Sequence, residues 1–332
     1  MTDILLTGDI SNRTAAYVIV PLLKRHDANM LLERFGQAFV IPTRSTKVAV
    51  FRRYEALALA ITALVEGVTP FGTKPTITDY SATLQEYGDF LAYSGFMVDT
   101  HQDPILQEYG SLAVQQAAET IETLRWNVVK AGTQVGYTNG GITTVNTPIN
   151  LNAQRTATAA MLRQRAKPIT SMVSSSPDFR TEPVEPGFVG IHHTDLTNDI
   201  RNMQGYISTK QYANNTKLFP GEHGAVEDVR YCRSVLYTPY AGTVSVYGGA
   251  STTMRNTGGY ADVYSVLYIS ADAYGIVALK GSNAMSLIAH NPGSSGSADP
   301  LNQRGTLGWK VATTSVILND NWLYRLHCAA TL

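Results

Sequence analysis

The chain has little charge and almost no cysteine. Its 332 residues carry 26 basic and 26 acidic side chains, 16% of the total, and the formal net charge is zero. Globular proteins usually devote about a quarter of their residues to charge. A balanced chain has no global basic footprint, which argues against a dedicated nucleic-acid reader. The two cysteines, Cys232 and Cys328, lie far apart in sequence. They make neither a disulfide framework nor a zinc site, which needs more ligands at short spacing. Two reduced thiols are expected. Long apolar runs are missing too: no segment approaches the roughly 18 uninterrupted apolar residues of a membrane span. The opening MTDILLTGDISNRTAAYVIV has acidic residues early and lacks the form of a signal peptide, so synthesis and folding in a cytoplasm are expected. What the chain does have is a normal hydrophobic fraction, 44%, and 18 tyrosines. Low charge with many aromatics suits a surface partly buried against other copies, because interfaces lose Lys, Glu and Asp and gain aromatics. A tyrosine-rich β protein would look the same.

Along the chain, TAAYVIVPLLKRHDANMLLERFG (14–36) has a broken helical pattern, interrupted at Pro21 and ended at Gly36. KVAVFRRY, from Lys47, is β-branched and aromatic and predicts a strand. EALALAITALVEG predicts a short helical piece. GVTPFGTKP is a loop tip dense in Gly, Pro and Thr, and TITDYSATLQEYGDFLAYS returns as strand. Strand, tip and strand make a hairpin-like excursion with little core of its own. Such hairpins are marginal alone, so this one is expected to lie on something. The clearest element follows, in DPILQEYGSLAVQQAAETIETLRWNVVKAG. Asp103 suits the N-cap, Pro104 the first helical position, and Gly132 the stop. Ile105, Leu106, Tyr109, Leu112, Ala113, Ala117, Ile121, Leu124 and Val128 keep helical spacing, with Gln116 the polar break. The predicted rod is roughly 40 Å long. A second helix is expected over 152–167, stopped by Pro168. From Gly187 onward short strands alternate with turns, and TSVILNDNWLYRLHCAA predicts two strands joined at Asn319-Asp320.

Candidate chemistry is sparse. Gly67 and Gly72 have P-loop spacing, but that motif needs Lys directly after the second Gly, and here Thr73 intervenes before Lys74. His192, His193 and Asp195 fall within four residues. In a strand the two histidines face opposite ways, so at most one could join Asp195, and a structural role is preferred to a metal site. Glu222 and His223 have no evident third partner. Arg163, Arg165 and Lys167 suit a helix C-terminus electrostatically better than they suit DNA contact. No nucleophile elbow or zinc-protease motif is present. No catalytic, cofactor or metal residue is assigned.

Several segments together resemble the major capsid proteins of N4-like tailed bacteriophages, a family with the HK97-type capsid fold. FRRYEALALAITALVEGVTP resembles that family's Arg-Tyr strand and Glu-Gly-x-Thr-Pro turn. ATLQEYGDFLAYS resembles its Tyr-Gly-Asp-Phe strand, and GFVGIHHTDLTNDIRN its Ile-His-Pro and Asp-Leu-Arg segment. LFPGEHGAVEDVRYCRS, DAYGIVAL and GSADPLNQRGTLGWK complete the series, in order over residues 36–327. His193 stands where the family usually has Pro, Ile200 separates Asp199 from Arg201, and residues 1–35 match little. The resemblance implies an α+β, HK97-like capsid fold: an N-terminal arm (1–41), an extended β-hairpin loop (42–100), and a peripheral domain (101–186) with a spine helix at about 103–131. An axial domain (187–304) and C-terminal strands returning to the peripheral domain (305–332) follow. It implies a non-enzymatic protein without cofactors, located in the virion and assembled in the bacterial host. Copies would join in pentamers and hexamers of an icosahedral shell around double-stranded DNA, with portal and scaffolding or decoration proteins as further partners. Pro70, Phe71, Gly72 and Lys74, at the loop tip, would contact a neighbouring subunit. The alternatives are another phage structural protein, such as a decoration or tail component, a monomeric binding module, or a metal-dependent enzyme using the His192/Asp195 region.

Overall fold

A computed structural model describes residues 30–332 except 65, 68, 70–71, 101–104, 174–180, 213–217, 245, 281–284, 293–299 and 302. The broken helix expected over 14–35 lies mostly outside the described residues. Its last turn is α1 (Leu32–Phe35), and Gly36 ends it in extended conformation. After β1 (Gln37–Ile41), strands β2 (Val48–Tyr54) and β3 (Ile77–Thr83) pair antiparallel from Val48↔Thr83 to Tyr54↔Ile77. Between them, residues 55–64 form no helix, contrary to the sequence reading. Leu57, Leu59, Ile61 and Leu64 are all well exposed. A short helix is marginal in water unless one face is buried, and among the described residues no partner buries one. Three of these residues recur at a spacing of two, which suits extended chain.

Next come β4 (Gln85–Ser94), α2 (Gly95–Thr100) and α3 (Ile105–Val129), the long helix expected from the sequence. β5 (Val135–Tyr137) leads to α4 (Leu151–Arg163), which Asn150 caps by accepting from the Ala153 amide. That helix stops earlier than expected because Arg165 adopts a left-handed conformation (φ 55°). The chain continues through β6 (Ile169–Val173), β7 (Thr181–His193), α5 (Thr197–Arg201), β8 (Tyr206–Ser208), β9 (Glu222–Val226) and β10 (Val229–Ser234). A small hairpin, β11 (Asn256–Thr257) with β12 (Tyr260–Ala261), precedes β13 (Tyr264–Ile269), β14 (Tyr274–Leu279), β15 (Met285–His290), β16 (Arg304–Ile317) and β17 (Leu323–Cys328).

Two sheets organise these strands. The larger runs β5-β17-β13-β7-β10-β9-β8, with β6 added on β7. Every residue of β13 is buried. One face of this sheet, through Val189, Ile191, Leu267 and Ile269, joins a core with Trp126, Val129 and α1. The other, through Val229, Tyr231, Val266 and Tyr268, packs under Ala157 and Met161 of α4 and under Ile200 of α5. A strand buried on both faces must be apolar at nearly every position, as β13 is.

The smaller sheet is centred on β16, which pairs with β14 and β15 along one edge and with β4 along the other. The β4 register runs unbroken from Arg304↔Ser94 to Thr313↔Gln85. Gly305 and Gly308, which bracket Thr306 and Leu307 in GTLGWK, are strand positions directly opposite Tyr93 and Phe90 of β4. A Cβ on Gly305 would stand 2.2 Å from the Tyr93 ring, and one on Gly308 would stand 2.8 Å from the Phe90 Cβ. On the helix side Trp309 and Val311 pack against Ala113 and Ala117 of α3. The C-terminal strands do not return together. β16 lies in the smaller sheet, whereas β17 pairs with β13 and β5 in the larger one.

Ala117 is fully buried under Trp309. Ala117→Pro removes a helical hydrogen bond and lifts α3 off β16, a loss of about 3 kcal/mol or more. The expected outcome is a subunit destabilised by that amount, checked by urea denaturation; unchanged stability would contradict this packing of α3 on β16.

Candidate assembly surfaces

The excursion between β2 and β3 is held at its base and bare beyond it. Arg52 makes a two-point ion pair with Asp79 (2.8 and 2.9 Å) across the strands, and Glu55 accepts from Arg53 Nη2 at 2.6 Å. Ile41, Ala49, Ala82 and Val277 form a small core beneath the base. Past residue 55 the apolar side chains named above face outward. Of the tip residues expected to touch a neighbour, Pro70 and Phe71 lie outside the described residues. Gly72 and Lys74 are exposed, and nothing stands within 4 Å of a Cβ built on Gly72. No helix follows Lys74, since the next element is β3, so the P-loop context is absent.

A second feature is a groove of about 490 Å³ over the smaller sheet. Gly88 and Gly308 supply a floor without side chains, Phe90 and Ile288 flank it, and the Lys310–Glu86 ion pair (2.9 Å) lies at its rim. Cross-strand pairing puts Phe90, Gly308 and Ile288 in one row. This face is turned away from the one that carries Trp309 and α3, because side chains alternate along a strand. Phe90 and Ile288 are exposed there.

The third feature was not legible in the sequence. Glu122 of α3, 1% exposed, accepts from the backbone amides of Leu31 (2.9 Å) and Leu32 (3.0 Å) and from the Tyr237 hydroxyl (2.5 Å). The Tyr274 hydroxyl donates to the Leu32 carbonyl at 2.5 Å. One carboxylate thus ties the chain entering α1 to the long helix and to the segment after β10. Burial, with Glu122 alongside, pushes the Tyr237 hydroxyl well above its usual range. Trp126 stacks on Tyr237 with ring centroids 4.3 Å apart. The buried stripe of α3 therefore passes through Glu122, Arg125 and Trp126, and Leu112, expected inside, is exposed. An apolar pattern cannot reveal a buried carboxylate held through one oxygen by backbone amides distant in sequence.

The candidate chemical residues divide as the strand geometry dictates. His192 is wholly buried, while His193 turns the other way, its Nδ1 3.4 Å from Asp195 Oδ2. Asp195 also accepts from Tyr264 at 2.8 Å. His223 does have a partner: its Nε2 lies 2.9 Å from His192 Nε2. Glu222 pairs with Arg230 through two contacts (2.8 and 2.7 Å), and the Arg230 guanidinium sits 3.9 Å over the Phe219 ring. Among the described residues no group of three or more His, Cys, Asp or Glu is placed to hold a metal ion. Cys232 and Cys328 are free and buried, and burial pushes both thiols up. Among the described residues no helix is long and apolar enough to cross a membrane.

These features describe a protein of mixed α and β build: an exposed apolar excursion, an open groove on one sheet, and polar groups bound to one another inside. The chain belongs to the phage capsid protein family, which it matches over residues 78–325. No curated protein matches it. Its fold is the HK97-like fold of phage major capsid proteins. The capsid of Ralstonia phage GP4 is 10% identical and superposes with a TM-score of 0.69, covering 100% of this chain and 99% of that one. The capsid of cyanophage P-SCSP1u, 10% identical, gives 0.62 over 98% and 97%. The capsid asymmetric unit of cyanophage Pam1, 12% identical, gives 0.60 over 98% of both. The protein is a major capsid protein, and copies of it associate to form the head shell of a virion.

Glu122→Ala strands three donors in the interior, each costing roughly 1–3 kcal/mol when unsatisfied. The expected loss is about 3 kcal/mol or more by urea denaturation. Glu122→Gln keeps an accepting oxygen and should cost clearly less. Equal, small losses for both variants would show that the carboxylate does not hold α1 in place.

Proposed function

We propose that this chain builds an icosahedral shell of pentamers and hexamers around the double-stranded DNA of a tailed bacteriophage of the N4-like lineage. The observation that carries this reading is the excursion: 55–64 exposes four large apolar side chains that no described residue of its own subunit covers. Contacts between different patches close into rings, and many modest contacts add through multivalency. The lineage rests on the ordered motifs between residues 36 and 327. Containment of DNA without sequence-specific binding is supported by the zero net charge. The role is structural rather than catalytic. Portal and scaffolding or decoration proteins complete the particle, which is assembled in the bacterial cytoplasm.

In this proposal residues 1–41 are the N-terminal arm and the loop from 42 is the extended loop, with Pro70, Phe71, Gly72 and Lys74 at its contact tip. The peripheral domain starts near 101 and holds α3 as its spine. The axial domain occupies about 187–304.

Expression of the chain, alone or with a scaffolding protein, followed by cryo-electron microscopy tests the reading. Closed shells built from five- and six-membered rings are expected; a compact monomer under both conditions would overturn it. Deleting 71–73 should leave the circular dichroism of the soluble subunit unchanged and weaken or abolish shell formation. An unfolded deletion variant would place the tip in the subunit's own core, and normal shells would remove it from the contact.

A further inference from the structure

The outer strands of the larger sheet, β10-β9-β8, close over two buried imidazoles. His192, on β7, is 0% exposed and His223, on β9, is 5% exposed. Their Nε2 atoms stand 2.9 Å apart. His192 Nδ1 lies 2.7 Å from the His193 carbonyl oxygen. A carbonyl only accepts, so Nδ1 carries the proton and, in the neutral ring, Nε2 is bare. His223 Nε2 must then carry a proton and donate it to His192. On its far side His223 Nδ1 faces the Tyr206 hydroxyl at 3.1 Å, and that hydroxyl donates to the His223 carbonyl at 2.6 Å. The pair therefore holds two protons on four ring nitrogens. A proton added to His192 would set two N–H groups against each other across 2.9 Å. One added to His223 Nδ1 would leave a buried imidazolium.

The surroundings do not accommodate that charge. From β10, Tyr231 turns its ring to both histidines, and its hydroxyl is bound to Gln154 and Tyr268. Arg233 on β10 and Arg201 on α5 act on the pair with positive charge. The nearby carboxylates are engaged elsewhere: Glu222 with Arg230, Tyr212 and the Phe219 amide, and Asp195 with His193, Tyr264 and Arg255. Burial first, then these neighbours, hold His192 down to about 3 and His223 to about 4, against an ordinary value of 6.5.

We propose that the His192–His223 pair is an acid-sensitive clasp: a third proton parts the two rings and frees the β8–β9 edge of the larger sheet, while its β17-β13-β7 centre persists. The unfolded or opened chain binds protons near pH 6.5, and the closed pair does not. The clasp is thus fully closed above about pH 6.5 and loses stability as pH falls from there toward 4.

Hydrogen exchange of assembled shells, read by mass spectrometry and corrected for intrinsic rates, tests this at pH 7 and pH 5. In the wild type, protection of 206–208 and 222–226 should fall about tenfold or more, with 264–269 unchanged. His223→Gln keeps a donor for His192, takes up no proton itself, and can turn its amide oxygen toward a protonated ring. Its shells should lose protection by a clearly smaller factor than the wild type at the same sites, because one imidazole rather than two takes up a proton on opening. Equal loss in both proteins, or no loss in the wild type, would overturn the clasp. A measurement that needs no variant is solid-state NMR of wild-type shells with nitrogen-15 histidine. At pH 7 it should show one ring protonated at Nδ1 facing one protonated at Nε2. A charged ring, or no contact between the Nε2 atoms, would refute the assignment.

Discussion

The registration of β4 on β16 under α3 is the constraint on which the rest of the smaller sheet depends. Ten consecutive residue pairs align the two strands. A one-residue slip would turn Trp309 and Val311 away from Ala113 and Ala117 and bring glycine and lysine positions to the helix. Register is fixed from both faces: on one, the alanines of α3 let Trp309 approach; on the other, Phe90 lies across Gly308. Because β16 also carries β14, and β14 carries β1, the same registration sets where the chain enters from α1.

The two sheets meet around a polar centre as well as an apolar one. Glu122 brings α1, α3 and the segment after β10 to one carboxylate, with Trp126 stacked on Tyr237 alongside. Amide and hydroxyl donors replace its water at Oε1, and removal of one partner is what makes burial costly. The pair His192–His223 and the pair Glu222–Arg230 follow the same rule in the larger sheet. A chain with few charges places several of them inside, each bound to a partner, and leaves apolar side chains outside on the excursion. That inversion suits a subunit whose outer apolar groups meet other copies.

Much of the architecture was legible locally. Asp103, Pro104 and Gly132 bracket a helix that the structure holds from Ile105 to Val129. The strand pattern of KVAVFRRY and the turn at Asn319-Asp320 also appear as expected. The helical piece over EALALAITALVEG does not, because helix formers persist as helix only where a face is buried, and no described residue buries one on the excursion. The span of β16 was hidden by its glycines, which mark turns in isolation and mark aromatic cover when a partner strand supplies Tyr93 and Phe90.

By itself the sequence determined the order of elements, the long helix, the low charge, and a set of ordered motifs sufficient for the family. The first three follow from period, capping and composition, which are properties of neighbouring residues, and the motifs from resemblance to a known family. Only the tertiary structure decided that Glu122 lies inside, that His192 meets His223, that β16 and β17 part to different sheets, and that Phe90 and Ile288 flank a glycine floor. Each joins residues far apart in the chain: 91 positions separate Leu31 from Glu122, and 31 separate the two histidines. Contacts at such separations are set by strand register and sheet order, which no local pattern encodes.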